Sequence, residues 1–131
     1  MQTLLGQREK FHVFGNDYPT PDGTGIRDYI HVEDLATAHI KAMEKLVSND
    51  KICEQYNLGI NKGFSVMELI KAAEKVAGKK LNYDVKPRRP GDPSRLIADS
   101  SKAQRELEWQ PKFTAVDDII ETSYNFFRSH T

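Results

Sequence analysis

The chain has 131 residues, of which 38% are hydrophobic and 29% charged, and its nineteen basic residues balance its nineteen acidic ones. This length suits one domain or a piece of one, and the zero net charge offers no general attraction for nucleic acid or an anionic membrane. A single cysteine excludes an intramolecular disulfide, and no apolar run reaches the ~18 residues of a transmembrane helix. We therefore expect a cytoplasmic protein that binds anions only through locally grouped arginines.

The first third of the chain predicts a short strand, a long loop and a second strand. Residues 1–8 have the apolar spacing of the end of a helix, and we expect the earlier part of that helix to precede the chain. Residues 11–14 form the first predicted strand. Prolines and glycines then rule out regular structure over residues 16–25, and residues 26–32 alternate loosely as a half-buried strand.

The middle of the chain predicts two amphipathic helices separated by a short strand. Residues 33–47 follow the helical period, and residues 55–58 form the strand. Ser65, with Glu68 three residues later, matches the capping-box pattern at the start of the second helix, which Gly78 ends.

The last third predicts a strand at residues 81–86, a proline-rich loop at 87–93 and two further helices. The first of these helices begins at Ser100 or Ser101 and ends near residue 107, with Trp109 packing after it. Thr114 with Asp117 predicts the cap of the final helix, whose buried face is expected to contain Val116, Ile119, Ile120 and Phe127. Alternating short strands and helices predict a small α/β domain with a mixed sheet.

Two loops carry arginines that could meet at an anion. Arg27 follows the long loop, Arg88 and Arg89 lie in the proline-rich loop, and an aspartate, Asp28 or Asp92, follows each closely. Guanidinium groups match the geometry of phosphate oxygens and stay charged at any working pH. Alternatively, Arg27 pairs with Asp28 or another acid while the other two arginines are simply solvated. The spacing leaves both interpretations open.

Aromatic and histidine residues give weaker indications. Phe14, Tyr18 and Tyr29 flank the long loop, where they could stack on a nucleobase or pack in the core. The four histidines show no metal-ligand spacing with cysteine or with one another, so no metal site is predicted. The H-x-x-D pattern of His31 and Asp34 instead predicts a helix cap.

Several motifs together carry a family resemblance. They are G-N-D-Y followed by D-G-T-G, then R-D-Y-I-H-V, H-V-E-D-L-A-T-A-H, Y-N-L-G, K-P-R-R-P-G-D-P and E-L-E-W. In this combination the chain resembles the C-terminal part of the UDP-glucose 4-epimerases, which are extended short-chain dehydrogenase/reductases. The resemblance implies a small mixed α/β substrate-binding domain, with the N-terminal Rossmann domain of such an enzyme missing.

The resemblance also implies which residues hold a UDP-sugar. Arg27 and Arg89 would bind the diphosphate, Arg88 would support them, and Asp92 would accept hydrogen bonds from the ribose hydroxyls. Leu96 departs from the pattern, because some relatives have a tyrosine at this position on the sugar side.

The remaining implied contacts are to the uridine. His12 and Phe14 would hold the uracil, largely through backbone groups of their strand. Tyr29 and Val66 would line the nucleotide pocket.

The same resemblance implies an NAD-dependent isomerase of galactose metabolism, which moves a hydride from C4 of the hexose to NAD and returns it to the opposite face. Such chemistry needs a Y-x-x-x-K tyrosine and a glycine-rich dinucleotide turn. No tyrosine here is followed by a lysine at the fourth place, and no G-x-G-x-x-G is present. We therefore expect this chain alone to bind no NAD and to catalyse no epimerisation.

The expected function is binding of UDP-glucose or UDP-galactose for such an enzyme. The alternatives are a non-enzymatic module that binds UDP-sugars or a protein partner, and an inert truncated remnant. Without a Rossmann sheet, the helix at residues 33–47 and the strand at 55–58 would expose an apolar patch, so self-association is predicted.

Overall fold

The computed structural model describes residues 1–48 and 53–130. Short strands alternate with helices, as expected for a small α/β domain. In chain order these elements are β1 (Phe11–Phe14), β2 (Ile26–Asp28), α1 (Val32–Ser48), β3 (Gly63–Ser65), α2 (Val66–Ala77), β4 (Tyr83–Lys86), β5 (Arg95–Leu96), α3 (Ser101–Glu106) and α4 (Val116–Ser129).

The strands form two small sheets, and together these bring the two arginine-bearing loops side by side. β1 pairs with β4 in parallel, so that Phe14 lies opposite Lys86, directly before the proline-rich loop. β2 is the central strand of the other sheet, antiparallel to β3 and parallel to β5, with Arg27 opposite Leu96. The predicted mixed pairing is confirmed.

Two hydrophobic clusters support these sheets. The first joins α2 to α4 and to the N-terminal turn, and contains Leu4, Ala72, Ala73 and Ile120. The second joins α1 to α3 and the segment after α3, and contains Ala38, Ala103, Leu107 and Trp109. The indole of Trp109 is buried and its Nε1 donates to the carbonyl of Asp34, so the predicted packing of Trp109 is confirmed.

Local signals predicted α2 correctly at both ends. The Ser65 side chain accepts a hydrogen bond from the Glu68 amide, and the Glu68 side chain accepts from the Ser65 amide, which completes the capping box. Gly78 ends the helix in the left-handed conformation, with φ of 66°. Such a backbone is accessible to glycine at little cost.

The expected helix end at residues 1–8 is confirmed in part: the segment forms a turn and not a full helix, but the amide of Leu5 donates to the carbonyl of Met1 over 3.1 Å, as in a helical turn. The amide of Gln7 donates to the carbonyl of Gln2, and the amide of Gly6 donates to the carbonyl of Thr3. This pair of bonds is the Schellman arrangement that terminates helical structure, so the segment turns away before Arg8.

Two strand predictions also need correction. The second strand stops at Asp28 instead of residue 32, because Val32 already begins α1. Residues 55–58 form no paired strand; their side chains Tyr56 and Leu58 pack against the cluster around Ala38 instead. The strand that pairs with β2 is β3, and the two-residue β5 was not predicted.

The final helix begins and packs differently from the prediction. Its N-cap is Ala115, with no capping side chain, so the capping box assigned to Thr114 and Asp117 does not form. Ile120 is buried as predicted, but Phe127 lies on the exposed side of the helix. The Asp117 carboxylate instead forms an ion pair with Lys75 of α2.

Helix α1 buries a narrow polar and small-residue stripe and exposes large apolar residues. Asp34 and Ala38 are buried, whereas Ile40, Met43 and Val47 are exposed, which confirms the predicted exposed apolar face of this helix. None of the helices that the structure describes has the length and apolar character needed to cross a membrane.

The predicted cap formed by the H-x-x-D pattern is half right. Nδ1 of His31 accepts a hydrogen bond from the amide of Glu33 in the first turn of α1. The Asp34 carboxylate does not cap this helix, because it accepts hydrogen bonds from the amides of Lys112 and Phe113.

Candidate functional site

Arg27 and Arg89 meet at one carboxylate, that of Asp92. Nη2 of Arg27 donates to Oδ1 of Asp92 over 2.5 Å, and Nη2 of Arg89 donates to Oδ2 over 3.0 Å. The side chains of Arg27 and Asp92 are 22% and 20% exposed, and that of Arg89 is 61% exposed. The result is a pair of guanidinium groups, one from β2 and one from the proline-rich loop, of which that of Arg89 is open to solvent.

The backbone around this pair holds Arg27 in a defined orientation. Its Nη1 donates to the carbonyl of Ile26 over 2.7 Å, and its Nη2 also donates to the carbonyl of Pro93 over 2.8 Å. Parallel pairing of β2 with β5 brings the Pro93 carbonyl within reach, because β5 begins two residues after it. The guanidinium is therefore fixed before any ligand arrives.

Arg88 points towards the other loop. Its Nε donates to Oδ1 of Asp17 over 2.7 Å, and its guanidinium lies 4.2 Å from the ring centre of Tyr18. A side chain at Gly15 would approach Cε2 of Tyr18 to 2.6 Å and Cγ of Arg88 to 2.8 Å, so this contact depends on glycine there. Arg88 thus ties the proline-rich loop to the loop after β1.

The two residues predicted to hold uracil lie on β1 beside this group. The Arg89 guanidinium lies 4.8 Å from the ring centre of Phe14, which connects β1 directly to the arginine pair. Nδ1 of His12 bonds to Oδ1 of Asp84 on β4, and the rings of His12 and Phe14 meet edge to face at 6.3 Å. Both side chains are exposed on the same side of β1.

Tyr29 and Val66 are placed by β2 and by the start of α2. Tyr29 follows β2 and is half-buried, and this burial raises the pKa of its hydroxyl while the nearby charge of Arg27 works against the rise. The amide of Val66 donates to the carbonyl of Gly25 over 3.2 Å, just before the strand that carries Arg27. Tyr29 therefore lies near Arg27, and Val66 is tied through its backbone to the residue two positions before Arg27.

The alternative pairing considered for the arginines is correct only in part. Arg27 does pair with an acid, but the acid is Asp92 and not Asp28. The Asp28 carboxylate accepts hydrogen bonds from the amides of Ile60 and Ala98, each over 3.3 Å. Arg88 and Arg89 are both paired with carboxylates, so neither is simply solvated.

The charge environment agrees with this pairing. Hydrogen bonds from Arg27 and then from Arg89 hold the pKa of Asp92 below its usual range. A hydrogen bond from Arg88 likewise lowers the pKa of Asp17. Both carboxylates are therefore ionised at neutral pH, and they neutralise the arginines in the absence of another anion.

Sequence reasoning missed a second set of polar contacts that shapes the long loop. Oδ1 of Asp22 accepts from the amide and the hydroxyl of Thr24, and Oδ2 accepts from the hydroxyl of Ser65. The pKa of Asp22 is lowered, because these hydrogen bonds outweigh the effect of its burial. The D-x-T spacing was the available signal, since such an aspartate often bonds to the amide two residues on.

The start of α2 does not offer the open amides of a dinucleotide-binding turn. A dinucleotide turn leaves helix N-terminal amides open above a glycine-rich loop. At the junction of β3 and α2, the first free amides are instead occupied by the Ser65 hydroxyl and the Gly25 carbonyl. Within residues 1–48 and 53–130, no group of three or more His, Cys, Asp or Glu side chains is placed to hold a metal ion.

A cleft of about 510 Å³ lies away from the arginine pair. It is bounded by residues 30–33 and by α4, and it includes none of the eight residues assigned to the UDP-sugar. Its walls are mainly apolar, with Phe126 and Phe127 at its edge. Among the described residues, its lining includes no lysine or arginine, and its one carboxylate, that of Glu33, would repel a diphosphate. The arginine pair is therefore the candidate anion site.

The family profile described as GDP-mannose 4,6 dehydratase matches residues 1–122. The chain belongs to this family. Within the family it is similar to UDP-glucose 4-epimerases: the enzyme of Bacillus subtilis is 54% identical over 111 residues, which cover 85% of this chain and 32% of that protein. The resemblance inferred from the sequence motifs is confirmed.

Solved structures of family members agree with the fold. A crystal structure of a UDP-glucose 4-epimerase superimposes with a TM-score of 0.92 and 48% identity, covering 98% of this chain and 39% of that one. The UDP-glucose 4-epimerase of Bifidobacterium longum, in complex with NAD+ and UDP, gives a TM-score of 0.85 with 44% identity over 98% of this chain and 37% of that one. The chain spans about a third of the length of the curated relatives it matches.

Proposed function

We propose that this chain is the UDP-sugar-binding part of an NAD-dependent UDP-glucose 4-epimerase. Arg27 and Arg89 bind the diphosphate, Asp92 accepts from the ribose hydroxyls, and the end of β1 at His12 and Phe14 holds the uracil. Tyr29 and Val66 border the nucleotide, and Arg88 supports the loop that carries Arg89.

The convergence of Arg27 and Arg89 carries this proposal. The two guanidinium groups come from segments 62 positions apart, yet both donate to the Asp92 carboxylate. A carboxylate and a phosphate present similar anionic oxygens to a guanidinium fork. A second anion with two linked phosphates can be shared by these groups, because each still has N–H donors beyond those given to Asp92.

The relatives support the nucleotide as the ligand. The epimerase of Bifidobacterium longum was solved with NAD+ and UDP, and that of Stenotrophomonas maltophila with NAD and a formylated UDP-arabinopyranose. Both are at least 40% identical to this chain over 98% of its length. On that basis we propose UDP-glucose and UDP-galactose as the ligands of this chain.

The rest of the epimerase reaction needs groups outside residues 1–131. We propose that an N-terminal Rossmann domain binds NAD and supplies the Y-x-x-x-K base, while this chain alone catalyses no isomerisation. We also infer a cytoplasmic location and a role in galactose metabolism, with the exposed thiol of Cys53 suited to a reducing compartment.

A calorimetric titration of UDP into the purified chain, without NAD, tests the binding step. Uridine, which lacks the diphosphate, serves as the ligand control. We expect UDP to bind and uridine to bind far more weakly. Arg27→Ala and Arg89→Ala should each weaken UDP binding by about 1.5–3 kcal/mol, as for hydrogen bonds to charged groups.

Arg105→Ala is the matched control, because Arg105 is an exposed arginine on α3 whose guanidinium lies 3.9 Å from the carboxylate of its neighbour Glu106. It should leave UDP affinity unchanged. Unchanged affinity in both Arg27→Ala and Arg89→Ala would overturn the site. If the folded chain binds no UDP at all, the isolated chain is inert and does not bind the nucleotide by itself.

A further inference from the structure

We propose that Asp92 is a selectivity residue that keeps simple inorganic anions out of the arginine pair. The inference rests on the proposed function in treating Arg27 and Arg89 as an anion site. It goes further in assigning Asp92 the role of a built-in competitor, which an incoming anion must either displace or share.

Both oxygens of the Asp92 carboxylate already accept hydrogen bonds from the arginine pair. Oδ1 receives Nη2 of Arg27 over 2.5 Å, while Oδ2 receives Nε and Nη2 of Arg89 over 3.3 Å and 3.0 Å. One negative charge is therefore shared by two positive charges. The net attraction that remains for an outside anion is about that of a single arginine instead of two.

Asp92 is held in place by its own loop. Its amide donates to the carbonyl of Arg89 over 3.2 Å, which closes a turn, and proline lies on the far side at Pro93. The Pro93 carbonyl is itself bound to Arg27. The backbone is therefore tied at Asp92 and at Pro93, which keeps the carboxylate close to the guanidinium groups when another anion approaches.

Pyrophosphate and a nucleotide diphosphate bring different groups to Asp92. Inorganic pyrophosphate offers only negative oxygens, so it meets the fixed carboxylate as a like charge at close range and competes for the same N–H donors. A nucleotide diphosphate brings hydroxyl donors as well, which convert the carboxylate from a repulsive group into an acceptor. Asp92 therefore penalises the inorganic anion more than the nucleotide.

The Asp17–Arg88 pair provides an internal comparison. It is also a carboxylate bound to an arginine of the same loop, with Nε of Arg88 2.7 Å from Oδ1 of Asp17. The Asp17 side chain, however, is 71% exposed and serves one arginine only. Removing its charge leaves the Arg27–Asp92–Arg89 group intact, which makes Asp17→Asn a matched control.

The test is calorimetric titration of inorganic pyrophosphate and of UDP into the wild-type chain, Asp92→Asn and Asp17→Asn. Circular dichroism and a thermal melt establish that each variant is folded. We expect Asp92→Asn to bind pyrophosphate about tenfold more tightly than wild type, the scale of one hydrogen bond to a charged group. The ratio of UDP affinity to pyrophosphate affinity should fall in this variant and stay unchanged in Asp17→Asn.

Unchanged or weaker pyrophosphate binding by folded Asp92→Asn would overturn the inference. If that variant does not fold, Asp92→Ser replaces it. If neither folds, the wild-type chain decides: 2′,3′-dideoxy-UDP lacks the hydroxyl donors for Asp92 and should bind about tenfold more weakly than UDP, whereas equal affinity for the two nucleotides contradicts the inference. Failure of wild type to bind UDP while Asp92→Asn gains pyrophosphate would reject the proposed function alone.

Discussion

Asp92 lies 65 positions after Arg27, yet its Oδ1 accepts a hydrogen bond from Nη2 of Arg27 over 2.5 Å. The bond joins the strand after the first long loop to the proline-rich loop. Because the same carboxylate also holds Arg89, three charged groups from two segments act as one unit.

This unit should make stability depend on pH in a defined window. The pKa of Asp92 in the folded chain is lowered from 3.8 by the two arginines, so its stabilising contribution is complete above the unfolded-state pKa and is lost as the pH falls through the folded-state pKa. We expect wild type to be more stable than Asp92→Asn at pH 7, with a difference that shrinks below about pH 4. Urea denaturation at several pH values measures this, and a difference that persists unchanged at low pH would contradict it.

Asp34 should be the most sensitive carboxylate for folding. Its side chain belongs to a residue only 1% exposed, and its two oxygens accept from the amides of Lys112 and Phe113 over 2.8 Å and 3.0 Å. Asp34→Asn removes one acceptor and turns an N–H₂ group towards an amide donor. We expect the free energy of unfolding to fall by about 3 kcal/mol, as for a buried donor left unpaired.

Glu44→Gln is the control for Asp34→Asn, because Glu44 lies on the same helix but is exposed, and its carboxylate forms a 3.6 Å ion pair with the exposed Lys41. It should change the free energy of unfolding by less than about 1 kcal/mol. Similar losses in both variants, measured by urea denaturation, would show that the buried bonds of Asp34 are not what holds α1 to the segment after α3.

Ser65 and Thr114 both resemble helix caps in the sequence, but their replacement by alanine should reduce the free energy of unfolding by different amounts. Ser65→Ala removes a hydrogen bond to the Glu68 amide and a second one to Asp22, so we expect a loss of about 1–2 kcal/mol. Thr114→Ala should stay within about 0.5 kcal/mol, because Ala115 is the N-cap of α4 and Thr114 is exposed. Thermal melts of both variants decide the comparison, and equal losses would count against the observed caps.

The apolar face of α1 should promote self-association of this chain. Met43 and Val47 are 63% and 88% exposed, and Ile40 is exposed beside them. Such a continuous apolar surface is favourable to cover. We expect light scattering at micromolar concentration to show dimers or larger species, and Met43→Gln combined with Val47→Gln to reduce them, while Glu44→Gln does not. A wild-type chain that is monomeric under these conditions would contradict the prediction.

The sequence by itself determined those features whose causes lie within a few residues. Ser65, Glu68 and Gly78 specify both ends of α2, because capping bonds and a left-handed end form between neighbours. The apolar period likewise located α1 and β1. The same local logic failed at residues 55–58 and at Thr114, since a strand needs a partner and a cap needs the right backbone entry, and neither is supplied by nearby residues.

Only the tertiary structure decided which charged groups meet. The sequence left open whether Arg27 pairs with Asp28 or with another acid. In the structure the Asp28 carboxylate accepts from the amides of Ile60 and Ala98, and Arg27 pairs with Asp92. The choice depends on β5 pairing beside β2, a contact between distant segments. Electrostatic pairing acts over a few ångströms in space and not along the chain, so the partners became evident only when the strands were assembled.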